Sequence, residues 1–265
     1  MIDKTVGLIG AGAIGSVVAE LAAAAGMRVI ISNARGPASL ERQVSELGPL
    51  VRAATPDEAA RSADIVALAL PLLSYALLPA DALAGKIVID MTNYYPFPGA
   101  QIAALDSGEV TSSEFIQRQF PAARIVKALH NVDARHLLIN AQRSAGGEPT
   151  ALPMAGDDAA AKQAIGDFLA AIGYQAVDVG SLAESWRIEP GAPIYVWPYA
   201  PPVPEGLTME DAEALFLSTA GPRVSVSEVR DLTFKAVRPS PPGGSINDLP
   251  PVMLAMIHRR FAQSG

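Results

Sequence analysis

The chain has no cysteine among its 265 residues. That removes disulfides, thiolate zinc sites, iron–sulfur clusters and cysteine nucleophiles together. Histidine is scarce as well, at His130, His136 and His258 only, and three scattered imidazoles do not make a metal site. Charged residues are few, 18% against 50% hydrophobic, a balance that argues for a compact globular protein and against disorder. The formal net charge of -7 gives no electrostatic reason to expect nucleic acid or an anionic membrane as partner. No apolar run reaches the length of a membrane span, and the first strand begins almost at Met1, so the chain reads as an untargeted cytoplasmic protein.

What is present begins with strand, glycine turn and helix. Thr5 to Ile9 is a short apolar run of the kind that makes a buried strand, and it feeds into Gly10-Ala11-Gly12-Ala13-Ile14-Gly15, a G-x-G-x-x-G turn. Ile14, Val17, Val18, Leu21, Ala22 and Ala25 then fall at helical spacing, and Gly26 can close the helix. Gly10 permits the tight turn, Gly12 lets backbone amides approach a pyrophosphate, and Gly15 lets helix and strand pack closely. The helix N-terminus favours the anion, so no basic side chain is needed on the turn. A second strand, Met27 to Ile31, ends in Ser32-Asn33-Ala34-Arg35-Gly36. An acid is missing there. Without it nothing repels a 2′-phosphate, while Ser32, Asn33 and Arg35 can bind one, so the site should prefer NADP(H) to NAD(H).

Farther along, strands and helices alternate. Helices are expected over 40–47, from Thr55, over 74–84, from Ser112 and over 157–172, with strands over 50–54, 65–70, 86–90, 124–129, 152–155 and 175–179. This pattern predicts an α/β fold of Rossmann type: a doubly wound, mostly parallel sheet with helices on both faces and ligands at the C-terminal strand edges. It runs as one NADP-binding domain from residue 1 to about 181. Residues 182–265 form a Pro-rich and helical C-terminal extension. More than half of the 22 prolines lie after residue 189, interleaved with Ile194, Tyr195, Val196, Trp197 and Tyr199, and helices are expected over 209–219 and 251–261. The extension is expected to pack as a strap on the main domain or on a second subunit, or to line the substrate pocket with aromatics. A homodimer fits the hydrophobic composition.

Taken together, these segments resemble the coenzyme F-420:NADP oxidoreductase family, the NADPH-dependent F-420 reductases. The match rests on the glycine turn, on Ser32 to Pro37, on Leu70-Pro71, on Val126-Lys127-Ala128-Leu129-His130 and on Ala155 to Asp158, and it covers about residues 4 to 186. The resemblance implies hydride exchange between NADPH and a deazaflavin (coenzyme F-420) or flavin as second substrate. It implies that Gly10 to Gly15 hold the pyrophosphate and that Ser32, Asn33 and Arg35 hold the 2′-phosphate. Leu70 and Pro71 would flank the nicotinamide, with Asn93, Ala128 and His130 near the exchanging ring. The chain departs from compact members in continuing for about eighty residues past Trp186.

Such a transfer is mostly positioning, because the cofactors carry the chemistry. His130, at the end of a central strand, is the candidate catalytic residue, as a hydrogen-bond donor to a ring carbonyl. Two other readings share the fold. An imine or β-hydroxyacid reductase would need a proton donor, and Lys162 is the lysine on the relevant helix. A non-catalytic NADP(H) sensor or scaffold would use the aromatic strap as its interaction face.

Overall fold

The computed structural model describes residues 4–96, 101–144, 147–240 and 242–262. Strand β1 (Thr5–Ile9) leads into helix α1 (Ala13–Ala24), β2 (Arg28–Ser32), α2 (Glu41–Leu47), β3 (Val51–Ala53), α3 (Pro56–Ser62) and β4 (Ile65–Leu68). Then follow β5 (Ile87–Asp90), α4 (Ala103–Asp106), α5 (Ser112–Gln119), β6 (Arg124–Lys127), α6 (Ala134–Ser144), β7 (Thr150–Gly156), α7 (Ala159–Ala171) and β8 (Tyr174–Asp178). Helices α8 (Met209–Ser218), α9 (Val226–Phe234) and α10 (Pro251–Ala262) lie in the extension.

The strands make one sheet in the order β3-β2-β1-β4-β5-β6-β7-β8. All neighbours pair in parallel except β6 and β7, which are antiparallel. The central strands are apolar on both faces because each face carries a core. One joins α1, α6 and α7 to β1, β2, β6 and β7. The other packs Tyr75, Leu105, Ile116 and Phe120 against β4 and β5. The chain reverses direction across the sheet between β1 and β4, and that switch point is where an open α/β sheet leaves a crevice for ligands.

Local chemistry sets the helix starts. Thr55 caps α3, its hydroxyl accepting the Glu58 amide at 3.2 Å, and Thr111 with Glu114 forms a capping box on α5. The helix expected over 74–84 is absent. Two 3-10 turns, Leu72–Leu77 and Ala80–Leu83, stand in its place, because Pro79 has no amide hydrogen and pushes its predecessor out of the helical region. The sequence pattern predicts no helix where α4, α6 and α9 stand.

The extension is divided in its attachment. Ile188, Ile194, Tyr199 and Val229 enter the same core as β1 and β7, and the Tyr199 hydroxyl donates to the Ala151 carbonyl at 3.1 Å. Helices α8 and α10 instead share a small cluster of Ala200, Ala212, Phe216 and Val252, with an Arg259–Glu213 ion pair between them. Between the two lies a tight turn at Val196. Its φ is 59°, its ψ is -58°, and the Trp197 amide donates to the Tyr195 carbonyl at 2.7 Å, a γ-turn of the rare, strained hand.

Candidate functional site

The glycine turn lies at the C-terminal end of β1, beside the switch point. Gly10 has φ 114°, and a Cβ there would sit 2.1 Å from the Ala69 carbonyl oxygen, so only glycine lets the chain turn so close to the end of β4. Gly12 is different. Its φ is -78° and a Cβ on it would meet nothing within 4 Å, which leaves an open space directly over the N-terminus of α1. No side chain caps that helix, so its first amides point into the space unpaired. Ala11 and Ala13 flank the opening, and Ile14 turns back onto the core.

The loop after β2 is organised by Asn33. Its Oδ1 accepts the Arg35 amide at 2.9 Å, its Nδ2 donates to Ser39 Oγ at 3.0 Å, and Ser39 Oγ donates to the Gly36 carbonyl at 2.7 Å. The Arg35 side chain is exposed and its guanidinium has no partner among the described residues. Ser32 faces the other way. Its side chain is fully buried and its hydroxyl donates to the Leu8 carbonyl at 2.9 Å, which commits its proton to the sheet. An open cleft of about 780 Å³ runs from Gly12 past Ser16 and Ser39 to Arg42 and Gln43.

On the far side of the switch point, Leu70 is half-buried and Pro71 exposed. Asn93 follows β5, its Nδ2 donating to the His130 carbonyl at 3.0 Å while its buried Oδ1 has no partner. Ala128 is fully buried. His130 sits beneath the extension, its Nε2 2.7 Å from the Ile188 carbonyl. Burial first, and then the charge of Lys127, push its pKa down to about 3, so the ring is neutral near pH 7. The tautomer that satisfies Ile188 carries its proton on Nε2, leaving Nδ1 an acceptor without a partner. His130 therefore ties the strap to the end of β6 and has no proton free for an acceptor ring.

One group of residues escaped the sequence reading. Lys127 and Asp90 face each other in register across β5 and β6, both fully buried. Asp90 accepts from Thr92 N at 2.9 Å, Thr92 Oγ1 at 2.5 Å, Ser113 Oγ at 2.6 Å, Lys127 Nζ at 3.2 Å and Tyr75 OH at 3.4 Å. Burial pushes its carboxyl up, but the ammonium and the hydroxyls outweigh that and hold its pKa below the ordinary carboxylate value. Lys127 also donates to the Thr92 carbonyl at 2.5 Å and to Ser112 Oγ at 3.1 Å. Ser112 in turn donates to Glu189 Oε1 at 2.8 Å. The network fixes the backbone just before Asn93 and latches it to the extension. A lysine directly after the apolar pair Ile125 and Val126 is the available signal; the strand register that supplies its partner is not.

At the opposite rim of the glycine turn, α8 and α10 approach the N-terminus of α6. A cavity of about 310 Å³ lies there, lined by Ala13, Asp133 to Arg135, Phe216, Leu217, Met253, Met256 and Ile257. Arg135 Nε donates to the Leu217 carbonyl at 2.7 Å. His136 bridges Asp133 Oδ2, at 2.6 Å, and the Phe216 carbonyl, at 3.0 Å. Lys162 lies elsewhere, paired with Asp178 on the edge strand at 2.7 Å. Among the described residues no three His, Asp or Glu side chains are grouped to hold a metal, and no helix is long and apolar enough to cross a membrane.

Residues 5–94, which contain the glycine turn, the loop after β2 and the end of β5, match the family model of the coenzyme F420-dependent NADP oxidoreductases. A solved structure of a hypothetical protein from Sinorhizobium meliloti is 32% identical, with TM-score 0.62 over 73% of this chain and 93% of that one. The chain belongs to the coenzyme F420-dependent NADP oxidoreductase family. A second structure, from Arthrobacter sp. FB24 and assigned as an F420-dependent NADP reductase, is 29% identical with TM-score 0.57, over 69% of this chain and 87% of that one. The metalloreductase STEAP3 of Rattus norvegicus is 27% identical over 186 residues, 69% of this chain. The match spans about a third of that relative, 35% of its length. The protein is thus an NADP-dependent oxidoreductase of this family.

Proposed function

We propose that the protein passes a hydride between NADPH and a planar deazaflavin or flavin-like acceptor at the C-terminal edge of its sheet. The observation that carries this reading is the pairing of the open space over Gly12 with the acid-free loop held by Asn33. The amides at the start of α1 receive the pyrophosphate, and the Arg35 guanidinium, free of internal partners, receives the 2′-phosphate. Ser32 supports the loop from below. Leu70 and Pro71 wall the nicotinamide side, and the orphaned Asn93 Oδ1 is the acceptor available to a carboxamide N–H, a buried group that otherwise lacks a reason to be unpaired.

The bound nicotinamide supplies the hydride; the protein supplies orientation and excludes water. The Lys127–Asp90 network keeps Asn93 in place, and His130 fixes the extension over β6. In this reading residues 1–181 carry the cofactor and residues 182–265 complete the acceptor side. Reduction of an imine or a β-hydroxyacid's keto partner would also require a proton donor. Lys162 is spent on Asp178 at the sheet edge, which favours the hydride exchange. A sensor or scaffold would leave the exposed Arg35 and the orphaned Asn93 in use but would consume no NADPH.

The test is to mix the protein with NADPH and, in parallel, coenzyme F420, FMN or a cyclic imine, and to follow the nicotinamide absorbance band. Consumption with F420 or FMN and none with the imine is expected, with NADPH preferred over NADH by about tenfold or more. Turnover of the imine alone, or tighter binding of NADH, would overturn it.

A further inference from the structure

The two ends of the sheet are finished differently. At one end β3 is three residues long, and its central residue is Arg52, paired with Glu58 on α3. Such a short, charged edge resists further pairing. At the other end β8 runs for five residues, Tyr174-Gln175-Ala176-Val177-Asp178, with no proline and no lysine. The Val179 amide donates to the Met154 carbonyl at 2.9 Å, and main-chain groups alternate sides along a parallel strand. Gln175 and Val177 therefore bond to β7 as Val179 does, while the N–H and C=O of Tyr174, Ala176 and Asp178 point away from it. Among the described residues no strand lies beyond β8 and no backbone group takes these up.

Helix α7 packs on this edge. It comes closest at Gly166, where an added Cβ would lie 3.6 Å from Ala176 Cβ, and its Lys162 pairs with Asp178 at 2.7 Å. An open groove of about 810 Å³ follows the strand, with Lys162, Gly166, Asp167 and Ala170 on the helix side and Ala176 and Asp178 on the strand side. The outward groups have a symmetry of their own. Three residues point out, and Ala176 is the middle one. A twofold axis through it lays a second β8 antiparallel to the first, so that Ala176 exchanges both hydrogen bonds with its copy and each Tyr174 does so with the opposite Asp178. No carboxylate then faces a carboxylate. Because Gly166 stands over Ala176, the same axis brings two α7 helices together antiparallel at a residue without a side chain. The Lys162 of each then approaches the Asp167 of the other, a complementary pairing of charge.

We propose that the free edge of β8 receives the β8 of a second copy of this chain, joining the two sheets into one with the pair of α7 helices packed across the seam. The proposal is independent of the cofactor and of the hydride acceptor. A strand from an unrelated protein would satisfy the main-chain groups but would bring no antiparallel α7 of matching charge to the groove.

Since the chain has no cysteine, a single introduced one reports on the seam. In a hydrogen-bonded antiparallel pair the Cα atoms stand about 5.5 Å apart, within disulfide range. Ala176→Cys at micromolar concentration should therefore cross-link to its copy under mild oxidation and run at twice the 27.6 kDa chain mass on a non-reducing gel. Arg52→Cys, on the opposite edge, should stay single. In light scattering after gel filtration the wild type should be a dimer and Ala176→Pro a monomer, because proline removes the outward N–H that each copy gives at the axis and spares the bonds to β7. Circular dichroism and a cooperative melt check that the proline variant folds. A monomeric wild type, a folded Ala176→Pro that stays dimeric, or an Ala176→Cys that cross-links no more than Arg52→Cys would each overturn the proposal. If the proline variant does not fold, the two cysteine variants decide it.

Discussion

Replacing Lys127 by Met takes the ammonium out of the buried network and leaves the Asp90 carboxylate behind. Breaking a buried pair by removing one partner costs about 3–5 kcal/mol. Asp90 keeps its hydrogen bonds from Thr92, Ser113 and Tyr75, so the lower figure, about 3 kcal/mol, applies. For a chain of this size that is a fall in Tm of roughly 6–12 °C. Asp90→Asn alone strands the ammonium on the Thr92 carbonyl and Ser112 and should cost a similar amount. The double variant Lys127→Met, Asp90→Asn removes both charges and should recover about 1.5–3 kcal/mol relative to the sum of the single changes. Urea unfolding of the four proteins in one buffer closes the cycle. A cost under about 1 kcal/mol for Lys127→Met, the level of an exposed pair, would refute the reasoning, as would strict additivity.

The same pair has a signature in acid. The folded pKa of Asp90 lies below its unfolded value of about 3.9, so its contribution is complete above about pH 4 and is lost as pH falls through the folded value; Asp90→Asn should show a shallower loss of stability below pH 4 than the wild type. Gly12→Ala should fold with stability changed by about 0.5 kcal/mol or less, since its Cβ meets nothing, yet bind NADPH about tenfold more weakly, as measured by calorimetry. Gly10→Ala, forced to φ 114° and against Ala69, should lose about 2 kcal/mol or more of stability by urea unfolding. Arg35→Ala should weaken NADPH about tenfold and leave NADH unchanged, and equal losses for both nucleotides would show that Arg35 does not meet the 2′-phosphate.

The sheet and its ligand edge were legible because their signals are local. Strands such as 65–70 are continuous apolar runs, and the glycine turn carries its spacing in six residues. Helix α9 was legible in principle, for Ser225 and Glu228 form a capping box, but its surroundings of prolines hid it. The stretch 74–84 misled because helical residues flank Pro79. The candidate site divides in the same way. The open space at Gly12 follows from sequence, whereas the inward turn of Ser32 depends on the reach of the Leu8 carbonyl from the neighbouring strand. The Ile188 carbonyl on His130 lies 58 residues away in the chain, and the Asp90–Lys127 register joins positions 37 apart. No periodicity records such distances.

The uneven attachment of the extension settles which part of it can breathe. Ile188, Ala192, Ile194, Tyr199 and Val229 are welded into the principal hydrophobic interior, so a swinging lid built on them would have to melt the enzyme. Helices α8 and α10 share a smaller cluster of their own, α8 is tied to α6 through the Leu217 and Phe216 carbonyls, and α10 leans on Tyr195, Val196 and Leu249, which places the pair nearer the low-stability end of the molecule. Motion then concentrates in one helical pair on a rigid chassis, and amide exchange should run faster there than at Ile188, Ile194 or Tyr199.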